Sequence, residues 1–576
     1  MAQMTIRAET IPLAYLPARC DTGGDFLIPK VVLMRATYFS SFFALVALCS
    51  IPGPAQTSAN KQCTVQLRSG PSPGDIALAN LEFTKAEELY AKEREETGAE
   101  GDRAHVAWIR VLLDERKLDE ADKAAKEWAA AAPTDPWSLQ ALSQVQLREG
   151  DVPAAAGTIQ AAYAADPCNA WVRAEYAHIL TINSMNASAK KMMDAAHALA
   201  PDDLQIEMQW LTLSTTHAAE LDEFLKRSSF LTERQRDILD GLKDHFAQAN
   251  TNTCRLLSPL KTTSIPYRAI QNGPNADVFW GLDVGFNGKQ ARMAIDTSAR
   301  GLTLTQTAAS TLHLSIQQAQ TASVTGTSMD VAFAQVKSLK IGDLEFADCN
   351  VRIVEKIVGS ADGMIGGSIF QNFLLPLDFP GHVLKLGQLP ALPGVAEDHS
   401  LNFSDTEDVS TPRDRYVDPS MKDWVQPFRL GPQLLVPVSL NKGPRHLFLI
   451  STATQYDSVS SAEPHHVEQL VRNNGNGLAA GSRSTFGAHI FSVKVDRSLP
   501  SELYFSNIHV SETDGMNSID TSKMGMNQLG IYGILGAQAL HNLTLTIDYR
   551  DSLLRFDYDP KRVAHCNPGI NLPDCY

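Results

Sequence analysis

Between about 76 and 250, apolar positions recur at steps of three and four residues among many Ala, Leu, Glu and Lys. That spacing puts one apolar stripe along a helix and predicts a run of amphipathic helices. The pattern also repeats. Ala132-Pro133-Thr134-Asp135, Asp166-Pro167-Cys168-Asn169 and Ala200-Pro201-Asp202-Asp203 each close an alanine-rich stretch, and their prolines stand 34 residues apart. Proline stops a helix because it lacks a backbone donor and its ring crowds the preceding turn. Trp137 and Trp171 open the helices that follow. The alanines within 129–132, 161–165 and 195–200 let two helices approach closely. A strict period of this length predicts stacked helical hairpins.

From about 275 the period becomes alternating. Phe279–Phe286, Ala291–Ile295, Leu302–Leu304, Val336–Ile341 and Cys349–Val354 read as strands punctuated by Gly, Asn and Asp. Residues 389–430, rich in Pro, Asp, Ser and Thr, read as a linker between a first β segment at 275–388 and a second at 431–560. The two segments repeat one another. Residues 363–386 align without a gap on 533–556, with Gly363/Gly533, Gly366/Gly536, Asn372/Asn542, Asp378/Asp548 and Leu384/Leu554 coinciding. Upstream, 291–304 aligns on 446–459. Two elements recurring in one order mark the duplication of a whole domain.

Composition narrows the setting. The chain of 576 residues carries a formal net charge of −15, and no basic stripe points to nucleic acid. Met34-Arg35, an apolar run from Tyr38 to Ile51, and small residues at Ala55 and Ala59 follow the order of a secretory signal. Residues 1–59 therefore read as an extension plus signal, with translation expected to start at Met34. The run is shorter than the ~20 residues a membrane span needs. Leu48 before Cys49 is too large for a lipoprotein box. Cys566 and Cys575 could close a loop in the tail at 561–576, and Cys349, in an apolar strand, reads as a buried thiol.

The 34-residue period resembles tetratricopeptide repeats. Gly150 matches the glycine between the two helices of such a repeat, where Arg116 and Ser184 stand in the neighbours. The resemblance implies a groove for a peptide or protein partner; a rigid brace without a ligand is the alternative.

Ile295-Asp296-Thr297-Ser298-Ala299, between two apolar strands, resembles the catalytic Asp-Thr loop of retropepsin-like, pepsin-type aspartic proteases. Asp362-Gly363-Met364-Ile365-Gly366-Gly367 resembles the glycine element that packs beside that loop in the family. The fold expected is thus a helical solenoid followed by two all-β acid-protease barrels forming a bilobal unit. In the family two carboxylates, one per lobe, share a proton and activate a water. The resemblance assigns Asp296 as the catalytic carboxylate, and Thr297 and Thr452 as braces for the opposite loop. It places flap tips at Gly326-Thr327 and at Gly481–Gly487, and supporting glycines at Gly363, Gly366, Gly533 and Gly536. The departure is Ser451, which occupies the second aspartate's position. Asp457 aligns with Leu302 and is no replacement. His465-His466 reads as a surface loop, and no metal or cofactor is expected.

Two functions follow. One is an exported endopeptidase, periplasmic or extracellular to a bacterial cell, acting on peptide or protein with Asp296, its dyad completed by pairing two first lobes in a homodimer. The other is an inactive protease-like protein that binds peptide in the cleft.

Overall fold

The computed structural model describes residues 63–562 with interruptions, the longer ones at 241–252, 271–278, 395–401, 405–412, 461–483 and 514–528. Ten helices open the described chain: α1 (Pro73–Ala79), α2 (Phe83–Glu93), α3 (Ala99–Asp114), α4 (Leu118–Ala131) and α5 (Pro136–Arg148), then α6 (Val152–Ala165), α7 (Ala170–Ile182), α8 (Asn186–Leu199), α9 (Leu204–Leu213) and α10 (Ala218–Arg227). Several of their starts are written in short polar side chains. Asp135 accepts from the Ser138 amide at 2.8 Å, Asp151 from Ala154 at 3.1 Å, and Asn169 from Trp171 and Val172. Each bond satisfies a donor that the first helical turn leaves open.

The repeat is visible in the backbone. Arg116, Gly150 and Ser184, 34 residues apart, all adopt positive φ, at 63°, 81° and 58°. Each reverses the chain between the helices of a hairpin, α3/α4, α5/α6 and α7/α8. Helices α3, α5, α7 and α9 lie side by side. Ala104, Ala107, Ala121, Ala125 and Ala141 are fully buried in the helical core, so backbone approaches backbone where the alanines are dense.

The β region begins earlier than the alternating pattern suggests. Strands β1 (Thr253–Leu256), β2 (Thr263–Pro266) and β3 (Arg268–Ile270) precede β4 (Phe279–Phe286), β5 (Lys289–Asp296), β6 (Leu302–Thr305) and β7 (Ile316–Val324). Then come β8 (Thr327–Ile341), β9 (Leu344–Val354), β10 (Gly363–Gly366), β11 (Leu374–Asp378) and β12 (Val383–Leu386). Short strands β13 (Asn402–Ser404) and β14 (Phe428–Leu430) lead into β15 (Gln433–Leu440), β16 (Arg445–Ile450) and β17 (Asp457–Ser460). The last five are β18 (Ser484–Asp496), β19 (Leu499–Thr513), β20 (Ile531–Leu535), β21 (Leu543–Asp548) and β22 (Leu553–Tyr558).

Both lobes close into barrels. In the first, β8 pairs with both β4 and β9; in the second, β18 pairs back onto β15. The pairing at each centre is the same: β10 runs parallel to β5 and antiparallel to β6, and β20 runs parallel to β16 and antiparallel to β17. A third sheet, ordered β2-β12-β11-β21-β22, is shared between the lobes. Its central register sets Leu374 opposite Asp548, Pro376 opposite Thr546 and Asp378 opposite Thr544. Pro376 and Thr546 are equivalent positions of the duplication, so this pair lies on a pseudo-twofold axis, as at an isologous interface. Leu375, Leu377, Leu545 and Ile547 bury that junction in one continuous core.

In the segment at 389–430, residues 413–430 are held against the rest of the chain. The Asp414 carboxylate accepts from the Ser188 amide and hydroxyl at 2.9 and 2.7 Å, and Arg413 meets Asp551 at 2.5 Å. It straps the helices to the β region. A second seam packs Leu147, Val152, Ile159, Val172 and Ile179 of α5–α7 against Leu435, Leu447, Leu449 and Ile531. Cys349 is not a free thiol. Antiparallel pairing of β1 with β9 brings Cys254 to it, and the two form a disulfide. The expectation failed because β1 lies upstream of the strands read from the sequence.

Candidate active site

Strand β5 ends on Asp296 and, in the parallel register beside it, β10 sets Gly366 opposite that aspartate. The strand between β5 and β6 opens where there is no room for a side chain: a Cβ on Gly363 would stand 2.2 Å from the Thr303 carbonyl. The loop after Asp296 is tied back twice. The Gly366 amide donates to the Gly301 carbonyl at 2.7 Å, and the Gly301 amide to Ser368 Oγ at 2.9 Å. The second lobe repeats this scaffold with buried Gly533 and Gly536. There the Ser451 amide donates to the Leu535 carbonyl at 3.1 Å, and the Ala537 amide to the Thr454 carbonyl at 2.7 Å.

The two loops meet through their threonines. Thr297 Oγ1 donates to the Ile450 carbonyl at 3.0 Å, and Thr452 Oγ1 to the Ile295 carbonyl at 2.7 Å. Each hydroxyl also accepts from the other threonine's amide, at 3.3 and 3.2 Å. Both residues are buried, so four reciprocal bonds fix the lobes. This brace and the shared sheet occupy the face through which a second copy of the first lobe would have to dock.

Asp296 lies beside this junction, 9% exposed. Its Oδ1 accepts three bonds: from the Ser298 amide at 2.9 Å, the Ser298 hydroxyl at 2.6 Å and the Ser451 hydroxyl at 3.2 Å. Burial pushes the carboxyl above its ordinary pKa, and the bonds from Ser298 and Ser451 oppose that shift by favouring the charged form. Thr454 Oγ1 in turn donates to Ser451 Oγ at 3.0 Å. Sequence reasoning thus finds Asp296, Thr297, Ser451 and Thr452 together, with the four glycines around them. It gave no role to Ser298 or Thr454. Their signal is a hydroxyl two or three residues past the acid position.

Tyr549 was missed as well. Its buried hydroxyl donates to the Thr297 carbonyl at 3.0 Å, across the lobe boundary. Gly367 makes way for it, since a Cβ there would stand 1.9 Å from the phenol oxygen. The equivalent residue of the first lobe is Phe379, so a hydroxyl present in one copy alone was the clue.

Of the flap positions, Thr327 opens β8 and pairs with Val324 across the β7–β8 hairpin, while Gly326 lies outside the described residues. So do residues 481–483, whereas 484–487 begin β18. His465-His466 and Cys566 and Cys575 are outside as well. Among the described residues, no group of three His, Cys, Asp or Glu could hold a metal ion.

Residues 282–369 match the family model described as aspartyl protease. No curated protein matches the chain. Solved structures similar to it include a retropepsin-like aspartic protease from Rickettsia conorii, at 19% identity over 22% of this chain and 95% of that one, with a TM-score of 0.17. Basic 7S globulin from soybean is similar at 12% identity over 52% of this chain and 94% of that one, with a TM-score of 0.28. The matched segment runs from β4 through the Asp296 loop to the glycine element, so the likeness to aspartyl proteases falls on the first lobe and includes its acid position.

Proposed function

We propose that the protein is an exported endopeptidase in which Asp296 activates water against a peptide bond in the cleft between the lobes. The observation carrying this reading is the Asp296 carboxyl itself. It stands at a cross-braced lobe junction, charge-stabilised by Ser298 and Ser451 yet nearly desolvated. A decayed site would have no need of that support. Desolvation lifts the carboxyl toward the range where a general base works, and such catalysis is typically worth ~10²–10⁴-fold. Substrate is peptide or protein. Export is supported by the signal-like pattern at 34–59 and by the Cys254–Cys349 disulfide, which suits an oxidising compartment.

Completion of a carboxylate pair by two first lobes requires the second lobe to leave, breaking the threonine brace and the β11–β21 ladder. The site is therefore read as formed within one chain. The second reading, a peptide-binding protein without chemistry, is favoured by Ser451. The helical repeats serve as a brace in either case, since α5–α7 already bury an apolar face on the second lobe; a partner in the remaining groove is compatible with that.

The test is peptide-library cleavage by the native protein at pH 3–7, beside Asp296→Asn. Cleavage lost in the variant is expected. No cleavage by the native protein, with cleavage appearing in Ser451→Asp, would establish the binding reading instead.

A further inference from the structure

Resting on the peptidase reading above, we propose that Ser451, oriented by Thr454, replaces the second carboxylic acid as the hydrogen-bond donor to the reacting carbonyl, so that the site runs on one carboxylate. The geometry is a directed chain of hydroxyls. Ser298 directs its proton to Asp296 Oδ1 at 2.6 Å. Thr454 directs its own to Ser451 Oγ at 3.0 Å. Ser451, already an acceptor, turns its single proton toward Asp296 Oδ1 at 3.2 Å. A serine hydroxyl has one proton to give and does not ionise in this range, so it can donate without ever competing for the shared proton.

The steps balance on these groups. The three bonds described to Asp296 all go to Oδ1, which leaves Oδ2 for water. As the water oxygen bonds the scissile carbon, its proton passes to Asp296 and the carbonyl electron pair moves onto oxygen. The Ser451 hydroxyl swings from Oδ1 to that oxyanion, keeping its proton. Collapse reforms the carbonyl and breaks the carbon–nitrogen bond, whose electron pair takes the proton back from Asp296. The products are an acid and an amine, with no further reactant.

The consequence is a change in pH behaviour. A carboxylate pair gives two limbs, one for each ionisation. Here one acid titrates. The groups facing the loop are Ser298 on its own turn, Ser451, Thr452 and Thr454 from the second lobe, and Tyr549 behind Thr297. Tyr549 is titratable, but burial and then the charge of Asp296 push it upward, out of the working range. Arg429 stands one step further away, on the Tyr549 carbonyl.

The experiment is kcat and KM against pH 3–8 on a peptide taken from the library, for the native protein, Ser451→Ala, Ser451→Asp, Thr454→Val and Thr454→Ser. The native profile should rise along one ionisation and stay level to neutrality, while Ser451→Asp should turn it into a bell. Ser451→Ala should lower kcat by about 10²–10³-fold with KM nearly unchanged, the usual loss of one oxyanion donor. Thr454→Val should lower kcat by roughly tenfold, with recovery in Thr454→Ser, which a purely structural role would not give. A bell in the native protein, or full kcat in Ser451→Ala, overturns this inference and leaves the peptidase reading standing. A native protein inactive at every pH overturns both.

Discussion

Asp296 shows how one neighbouring atom sets a carboxylate's working range. Burial and hydrogen bonding pull in opposite directions, and the Ser298 hydroxyl at 2.6 Å is the shortest of the bonds that favour the charged form. Ser298→Ala keeps the backbone amide bond but removes that hydroxyl. The charged form is then less favoured, so the Asp296 pKa moves further up. The expected outcome is a shift of the acid limb of kcat/KM to higher pH, with the plateau rate little changed. A limb that stays in place would show the hydroxyl to be only a loop contact. Tyr549 makes a contrasting case. Its bond to the Thr297 carbonyl touches no carboxylate oxygen, so Tyr549→Phe is expected to loosen the loop without moving the limb.

The left-handed turns of the helical hairpins separate what a sequence shows from what it hides. Arg116, Gly150 and Ser184 share one backbone conformation, so the fold tolerates a side chain there at a strain of about 1–2 kcal/mol. Glycine at 150 answers a second demand, because a Cβ would press on Leu447 of the second lobe at 3.3 Å. Gly150→Ala should therefore lower stability by about 1–2 kcal/mol, read as a fall in thermal midpoint. Ser184→Gly is a poor mirror test, since the Ser184 hydroxyl bonds Ser552 at 2.9 Å. The period of 34 and the paired glycine elements were legible because each repeat must solve the same local packing problem. The seam between α5–α7 and the second lobe was not, for Leu147 and Leu447 carry no mark in sequence that they meet. Strand β1 escaped for a similar reason: four residues are too few to show a period, and Cys254 finds Cys349 only through tertiary pairing. At the site, the acid position and the threonines were legible through the resemblance of the Asp296 loop to the Asp-Thr loop and the alignment of the two halves. Thr454 and Tyr549 became functional candidates only once distance was known.

The duplication gives the molecule two equivalent aspartates with opposite effects on its stability. Asp378 and Asp548 align, and each ends a strand of the sheet shared by the lobes. Burial would raise Asp378, but Arg562 at 2.7 Å, with the Gly381 amide and Lys385, holds it below its ordinary value. Its stabilisation is present above the unfolded pKa of ~3.9 and fades as pH falls through the folded value. At Asp548 the nearby cations, Arg550 and Arg413, pull downward more weakly than burial and Asp551 push upward. This aspartate is fully buried, and burial followed by the charge of Asp551 pushes it up to about 6. Between about pH 4 and 6 the native protein therefore binds the extra proton, so this contribution is full below the unfolded value and is lost as pH rises through the folded one. The shift from 3.8 to about 6 corresponds to about 3 kcal/mol. Asp548→Asn removes that titration. Relative to the native protein, the variant should gain stability on going from pH 4 to pH 7 by an amount of that order, whatever its offset at pH 4. Asp378→Asn should lose stability over the rise from pH 2 to pH 5. Denaturant midpoints of both variants across pH 2–7 check the pair. Parallel, flat differences would mean that neither carboxyl titrates with folding. The predicted divergence would mean that mild acid tightens the shared sheet through Asp548, the neighbour of the tyrosine that holds the Asp296 loop.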